Sequence, residues 1–225
     1  MNIGISAQPA QQRSAPDLIA AVLRDAIFDG RLPSGTPLKQ AEVATHFGVS
    51  AIPVREAFQK LVAEGLAVMH RNRGVVVAPL SEADLIDIAE LRTLLESRAL
   101  RLSAPHLGGA DLMEAEDTLS RAHTVEGNGA QAALHWQFHQ ILYAKANRPR
   151  LLAEIDTLFV HMNRYVMTAW RAPWLDRDWD DSHRAITAAL RKSDTESAVR
   201  LIVEQIQDAT DRVLRHLRAQ EKRDA

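Results

Sequence analysis

The sequence predicts a mainly α protein in two parts, a winged helix-turn-helix with a small β-hairpin wing and a following all-α helical bundle. Apolar residues recur at helical spacing through most of the 225 residues, and a hydrophobic content of 46% is enough for a core. β-branched runs that indicate strands flank the turn "RNRG" at 71–74. We therefore place a flexible tail at residues 1–15, the winged helix-turn-helix at 16–79 and the helical domain at 80–225.

Three helices and a hairpin account for the first part. Residues from Asp17 to Phe28 carry a helical apolar stripe, which the glycines and prolines of "DGRLPSGTPL" end. A second short helix, "QAEVATHFG", ends at Gly48, and Ser50 is a natural N-cap for a third helix with Pro53 in its first turn. Gly65 ends that helix, and "LAVMH" and "GVVVAP" form the hairpin. This order of elements is that of a winged helix-turn-helix.

Helices alone account for the second part. Ser81 caps a long helix that runs to about His106, with Asp84 as its capping-box partner. Turn residues then separate helical stretches near 111–124, 129–146, 150–171, 180–192 and 194–220. No strand pattern occurs after Pro79, so this part is an all-helical domain large enough to enclose a cavity.

Composition narrows the range of partners. The chain has no cysteine, which excludes disulfides and cysteine metal sites and fits a cytoplasmic protein. No apolar run approaches the roughly 18 residues that a membrane span needs, so we expect no membrane partner. Residues 1–80 carry a net charge of +2 and the remainder −4, which permits nucleic-acid binding by the front part alone.

The front part also carries a specific set of motifs: "LRDAI", "FGVS", "PVREA", "EGL" and "RGVVV", in this order within residues 16–79. In these motifs it resembles the DNA-binding domain of the GntR family of bacterial transcription regulators. The resemblance implies a cytoplasmic protein that binds a double-stranded DNA operator. The residues expected at the DNA are Lys39, Ser50, Ala51, Ile52, Pro53, Arg55, Arg71, Arg73 and Gly74.

Physical chemistry supports the same surface. A helix that begins at Ser50 presents free N–H groups and a positive dipole end to a phosphate. Arg55, one turn further on, can reach a guanine edge or a phosphate. Arg71 and Arg73 at the hairpin tip suit a narrow minor groove, and Gly74 permits close approach of the backbone.

Three positions depart from the family pattern. The resemblance places base-reading arginines at 41 and 51, where this chain has Ala41 and Ala51, and a common threonine where it has Ile52. Methyl groups can contact a thymine methyl, but they cannot make the bidentate contact to guanine that arginine makes. We therefore expect an operator that departs from the usual family sequence, or specificity that depends on the wing and on DNA shape.

The second part resembles the FCD effector domain of the FadR-type subgroup in "AELRTLLESRAL", "HWQFHQILYAKANRPRL" and "SHRAITAALRKSDTESAVRLIVEQI". The resemblance implies an effector-binding and dimerisation domain of a homodimer. It also implies a set of metal ligands whose positions fall on His135, His139, His183 and Gln205. His135 stands where aspartate is usual, and Gln205, where histidine is usual, is the weak member of the set.

The residue types also favour a metal site. His135 and His139 lie four apart and share a helix face, so they can bind one divalent ion, with Zn²⁺ or Ni²⁺ the best match to three histidines. An ion on neutral ligands keeps its positive charge, so we expect a small carboxylate effector that also pairs with Arg92 and Arg164. Two alternatives remain: a metal-free pocket in which the histidines bond the effector, and an Arg92 that simply pairs with Glu96.

The leading functional hypothesis is a transcription regulator, not an enzyme, that binds a near-palindromic operator as a dimer and responds to an effector. One alternative is a metal-dependent hydrolase using the three histidines, whose general base would require Asp180 or Asp181 to turn inward. The other is a metal-ion sensor. Trp170, Trp174 and Trp179 are expected in the core or at a dimer face rather than on a ligand.

Overall fold

The computed structural model describes residues 14–28, 30–71, 74–126, 128–169 and 177–224, which form nine α-helices and three short strands. An N-terminal head contains α1 (Ala15–Phe28), β1 (Pro37–Leu38), α2 (Gln40–Phe47), α3 (Ala51–Ala63), β2 (Ala67–His70) and β3 (Gly74–Val77). A C-terminal body contains α4 (Glu82–Ser103), α5 (Gly109–Ala122), α6 (Asn128–Tyr143), α7 (Pro149–Ala169), α8 (Arg177–Arg191) and α9 (Thr195–Asp224). The predicted fold class is confirmed.

Apolar side chains shared by α1 and α3 form the core of the head. Ile19, Leu23 and Leu61 are buried together in one cluster. Gly48 follows α2 with a left-handed φ of 65°, and its N–H bonds to carbonyls of the last turn of that helix. The resulting turn leads directly into α3, where Pro53 is half-buried in the first turn. This is the helix-turn-helix that the glycine and proline positions predict.

The wing has one strand more than the predicted hairpin. β3 lies between β2 and β1 in a three-stranded antiparallel sheet. Pro37 pairs with Val76 and Leu38 with Val75, and the Leu38 side chain is buried. Two residues are too few to show an alternating pattern, which is why the sequence alone indicates only a break between helices here.

The body buries one face of α4 along its length. Ser81 occupies the N-cap of α4, and its Oγ accepts a hydrogen bond from the Asp84 N–H at 3.1 Å, as predicted. The other half of the capping box differs from the prediction. The Ser81 N–H donates to the Tyr165 hydroxyl, 3.3 Å away, and that hydroxyl donates to the Asp84 carboxylate. The start of the body is thereby bonded to α7.

Helix α7 also contacts the head. Arg164 donates to the Ala78 carbonyl at 2.9 Å and to the Pro79 carbonyl at 3.4 Å, so it holds the linker between the two parts. His161 Nε2 lies 2.7 Å from the Glu64 carbonyl at the end of α3, and because a carbonyl only accepts, Nε2 carries the proton. One helix of the body therefore holds both the linker and the end of α3.

The start of α8 differs from the prediction, and some of the residues singled out in the sequence lie outside the described ranges. Helix α8 begins at Arg177, ahead of the predicted start at 180, so His183 lies in its second turn and does not begin the helix. The predicted tryptophan cluster lies outside the described residues, apart from the Trp179 backbone, and so does the tail up to residue 13. Within the described ranges, every helix is too short or too polar to cross a bilayer.

Gly65 provides a test of the junction. It combines a left-handed φ of 67° with close approach of His161, whose ring a methyl group would overlap. Relieving that overlap would break the hydrogen bond to Glu64. We expect Gly65→Ala to lower the free energy of unfolding by about 1 kcal/mol more than Gly48→Ala, which pays only the backbone cost of a similar φ. Urea denaturation measures both losses, and equal losses would contradict the contact.

Candidate functional site

A cavity of about 320 Å³ opens in the body among five helices, a volume that suits a small metabolite. Arg92 and Glu96 of α4 line it together with His135 and His139 of α6. The other helices contribute Phe159, Met162, Asn163 and Val166 (α7), Ser182 and His183 (α8), and Leu201, Ile202, Glu204, Gln205, Ile206, Asp208, Ala209 and Arg212 (α9). Polar groups of α4, α6 and α8 therefore face a mainly apolar wall from α7, whereas α9 contributes both apolar and charged side chains.

Three histidines meet at the polar wall of this cavity. The Nε2 atom of His135 lies 2.9 Å from Nε2 of His183 and 3.0 Å from Nε2 of His139. Their candidate ligand atoms all lie within 4.8 Å of one another, and His139 and His183 are buried. These are three of the four positions at which the family resemblance places metal ligands.

Two of the three nitrogen pairs in the histidine cluster have the spacing expected of ligands that share one divalent metal ion. Two nitrogens about 2.1 Å from one ion lie about 3.0 Å apart at a right angle and about 3.4 Å apart in a tetrahedron. Burial lowers the pKa of His135 and of His139 well below the usual value, and nearby His183 and Arg92 add to the shift. Both rings are therefore neutral at pH 7, as metal ligation requires. An ion there would supply positive charge to the cavity.

A buried row of hydrogen-bonded side chains lies behind His139. Its central member, Tyr143, is not among the site residues predicted from the sequence. Tyr143 donates its hydroxyl proton to Glu96 Oε2 at 2.7 Å, and its oxygen lies 3.4 Å from His139 Nδ1. Arg92 Nε donates to Glu96 Oε1 at 2.6 Å, which is the simple pairing considered as an alternative role for Arg92. Helical spacing is the signal that identifies Tyr143, because it continues the row of His135 and His139 by four more residues.

Gln205 lines the cavity but contacts the histidines only indirectly. Its Nε2 donates to Ser182 Oγ at 3.0 Å, and that oxygen lies 3.3 Å from Nδ1 of His183. Through its amide nitrogen Gln205 therefore supports His183 by way of Ser182. Its Oε1 atom, the one that could bind a metal, is buried and has no hydrogen-bond partner among the described residues, so the weak fourth ligand stays a prediction.

The two arginines predicted at the effector lie in different places. Arg92 lines the cavity, and within the described residues its two Nη nitrogens have no hydrogen-bond partner because only Nε bonds to Glu96. Its Cζ lies 5.9 Å from the centre of the Phe159 ring. Arg164 holds the linker instead, so the prediction that it faces the cavity is wrong. Neighbouring residues of a helix point about 100° apart, which separates Arg164 from the cavity-lining Asn163.

The two aspartates that the hydrolase alternative requires do not face the histidine cluster. Asp180 accepts a hydrogen bond from Arg184 at 2.8 Å, and Asp181 is exposed. Glu96, the nearest buried carboxylate, already accepts from Arg92 and Tyr143. The aspartates therefore do not turn inward as the hydrolase alternative requires.

An exposed surface lies at the start of α3 on the head. Ile52 is 59% exposed, and Ala51 and Arg55 are exposed beside it. Ser50 occupies the N-cap without a capping bond from its side chain, and Gln40 instead donates to the Ala51 carbonyl at 2.6 Å. Within the described residues, no side chain pairs with Arg55. Its guanidinium is therefore available to a ligand.

The other residues predicted at the DNA lie around this surface. Lys39, just before α2, forms an exposed ion pair with Glu42 at 2.8 Å. Arg71 is exposed at the end of the β2 strand, and Gly74 begins β3 with a left-handed φ of 69° that favours glycine. Arg73 lies outside the described residues.

Comparison with known proteins identifies the two-part arrangement. The family description "Bacterial regulatory proteins, gntR family" matches residues 17–77, and the FCD domain matches residues 87–208. The chain belongs to the GntR family. This GntR regulator is 32% identical over 186 residues to a probable D-xylose utilization operon transcriptional repressor of Paenarthrobacter nicotinovorans, over 80% of this chain and 82% of the relative.

Solved structures of GntR proteins resemble this one. A transcriptional regulator of the family from Pseudomonas syringae pv. tomato str. DC3000 is 34% identical with a TM-score of 0.57, covering 94% of this chain and 89% of that one. E. coli McbR/YncC has a TM-score of 0.76 at 23% identity and supports the fold alone. The match covers 92% of this chain and 100% of that one. The chain is thus a GntR transcriptional regulator with a DNA-binding head, and the prediction that it is not an enzyme is confirmed.

The burial of Glu96 leads to a stability prediction. Glu96 is fully buried beside Arg92, whereas Glu196 forms an exposed ion pair with Arg101. Glu96→Ala would leave a buried cation without its counter-charge, so we expect it to lower the free energy of unfolding by about 3–5 kcal/mol. Glu196→Ala, the matched control, should cost much less, because water screens an exposed ion pair. Denaturant titration of the two variants checks this, and similar small losses would contradict a buried ion pair.

Proposed function

We propose that this GntR regulator binds a small, carboxylate-bearing metabolite in the cavity of its body and thereby changes the operator affinity of its head. The observation that carries the proposal is the meeting of three histidines and Arg92 around one cavity of about 320 Å³. Five charged side chains line the cavity, Arg92, Glu96, Glu204, Asp208 and Arg212, and their formal charges sum to −1, so a divalent ion on neutral imidazoles would leave the site with a charge of +1. A positive, partly enclosed site favours an anionic ligand.

We further propose that His135, His139 and His183 hold Zn²⁺ or Ni²⁺. Three imidazoles suit either ion and leave coordination positions for a ligand oxygen. The Nη nitrogens of Arg92 would donate to the carboxylate of the effector. Phe159 and the neighbouring apolar wall would cover the rest of the effector.

Coupling between cavity and head is supported by the two faces of α7. Phe159, Met162, Asn163 and Val166, at helical spacing, line the cavity. On the next face, Val160 packs on the head core, and His161 and Arg164 bond to the end of α3 and to the linker. A ligand that favours one position of α7 would therefore favour one position of the head.

We propose a homodimer formed through the exposed face of α4. Ile86, Leu91 and Leu94 are 40%, 47% and 67% exposed there, an unusual amount of large apolar surface for one helix. A second copy would remove these side chains from water, and a two-fold dimer would present two heads to an inverted-repeat operator. We place this DNA-binding protein in the cytoplasm, where the bacterial chromosome lies.

Metal binding gives the first functional test. We expect the chelator-stripped protein to bind one Zn²⁺ or Ni²⁺ per chain by isothermal titration calorimetry, and His139→Ala to weaken that affinity by at least about 100-fold. His123→Ala is the matched control, because this histidine pairs with Asp180 away from the cluster. Equal binding by all three proteins, or none by the wild type, would contradict the metal site.

Metal-free and metal-loaded wild-type protein distinguish an effector-controlled regulator from a metal sensor. In the proposed function, metal alone changes operator affinity little, and a small carboxylate added to the metal-loaded protein changes it strongly. A large change with metal alone would favour the sensor. Fluorescence anisotropy with a labelled operator measures both steps.

Operator selection tests the head. We expect selection from random DNA to return an inverted repeat with few guanines under the Ala51–Ile52 tip of α3. Arg55→Ala should weaken binding to the selected site by about 1–3 kcal/mol, whereas Arg98→Ala, which removes an exposed charge from the body, should not. Ala51→Arg should add a guanine preference in each half-site. Unchanged selection by Ala51→Arg would contradict the docking proposed for α3.

A further inference from the structure

The row of hydrogen bonds behind His139 has a fixed direction. Arg92 can only donate, so Glu96 Oε1 accepts from it at 2.6 Å. The second oxygen of Glu96 accepts the Tyr143 hydroxyl proton at 2.7 Å. A tyrosine hydroxyl has a single proton, so its oxygen can only accept from the ring of His139, 3.4 Å away.

The distances around Tyr143 support the same direction. Its hydroxyl lies closer to Glu96 Oε2, at 2.7 Å, than to His139 Nδ1, at 3.4 Å, and a carboxylate is a better acceptor for the hydroxyl proton than an imidazole nitrogen. Arg92, Glu96, Tyr143 and His139 are all buried, so bulk water does not compete for these positions.

From this geometry we infer that Tyr143 is a positioning residue that holds His139 as the Nδ1–H tautomer, with the lone pair of Nε2 directed at the other two histidines. The inference rests on the proposed metal site and explains how one ligand of that site is prepared. A neutral histidine has one ring proton, and placing it on Nδ1 leaves Nε2 free to bind an ion. The opposite tautomer would put an N–H where the ion must sit.

Glu96 determines the direction of every hydrogen bond in the row, so a change at this residue is expected to reverse the bonds at Tyr143 and His139. In Glu96→Gln, the side-chain oxygen still accepts from Arg92, so the new amide N–H faces Tyr143 and donates to its oxygen. The Tyr143 proton then turns to Nδ1 of His139 and drives that ring into the Nε2–H tautomer. Tyr143→Phe instead removes the hydroxyl that selects one tautomer of His139, so both tautomers become populated.

Nitrogen-15 NMR of the histidine rings in metal-free protein tests the inference without any metal. We expect Nδ1–H for His139 in the wild type, a mixture in Tyr143→Phe and Nε2–H in Glu96→Gln. Calorimetry with Zn²⁺ and Ni²⁺ should show an affinity about 10-fold lower in Tyr143→Phe and lower still in Glu96→Gln. Tyr165→Phe is the matched control, because the chain has two tyrosines and Tyr165 bonds Ser81 and Asp84 away from the cluster.

The outcomes separate this inference from the proposed function. Three results would each overturn the positioning role of Tyr143. The first is an Nε2–H ring of His139 in the wild type, and the second is the same tautomer in the wild type and in Tyr143→Phe. The third is a loss of metal affinity in Tyr165→Phe equal to that in Tyr143→Phe. A wild type that binds neither ion would refute the metal part of the proposed function, while the NMR result would still decide which tautomer Tyr143 selects.

Discussion

The hydrogen bond from Arg164 of α7 to the Ala78 carbonyl is the contact on which the two-part architecture depends. Arg164 is buried, and its charge lies against the linker carbonyls with the Asp84 carboxylate 3.7 Å away. A buried guanidinium that loses these partners would carry a large desolvation penalty, so the arrangement strongly favours one position of the linker. His161, one turn earlier on α7, fixes the end of α3 in the same way. The head is thus oriented by polar contacts to a helix that also forms the cavity wall.

In the proposed function, this shared helix would link ligand binding in the cavity to control of DNA binding by the head. The cavity side of α7 is mostly apolar and could shift against a ligand, whereas its head-facing side makes directional hydrogen bonds that would transmit such a shift. The opposite wall behaves differently. Arg92 and Tyr143 each donate to a different oxygen of the buried Glu96 carboxylate, so that wall is rigid and holds the histidines in place. A rigid polar wall facing a movable apolar wall is an arrangement suited to an effector domain.

The sequence predicts the fold class and the residues of the histidine cluster because both follow from local spacing and family resemblance. His135 and His139 share a helix face at four-residue spacing, and the helix-breaking glycines mark the head. The sequence could not predict which face of α7 Arg164 occupies, because that depends on how α7 packs against the linker. It also could not show that the Gln205 amide nitrogen bonds to Ser182, since that contact depends on the packing of α8 against α9. The two-residue strand β1 is visible only through its partner β3.

The most direct test of the shared-helix account measures the distance between head and body. The chain has no cysteine, so Gln59→Cys on α3 and Glu114→Cys on α5 allow a donor–acceptor pair to be attached at these two exposed sites alone. Single-molecule energy transfer, with labelled chains diluted into unlabelled protein, should give one narrow distribution for the wild type and for the control Arg101→Leu. Arg164→Leu should broaden that distribution while the helical content stays the same. An unchanged narrow distribution in Arg164→Leu would contradict the claim that α7 orients the head through this contact.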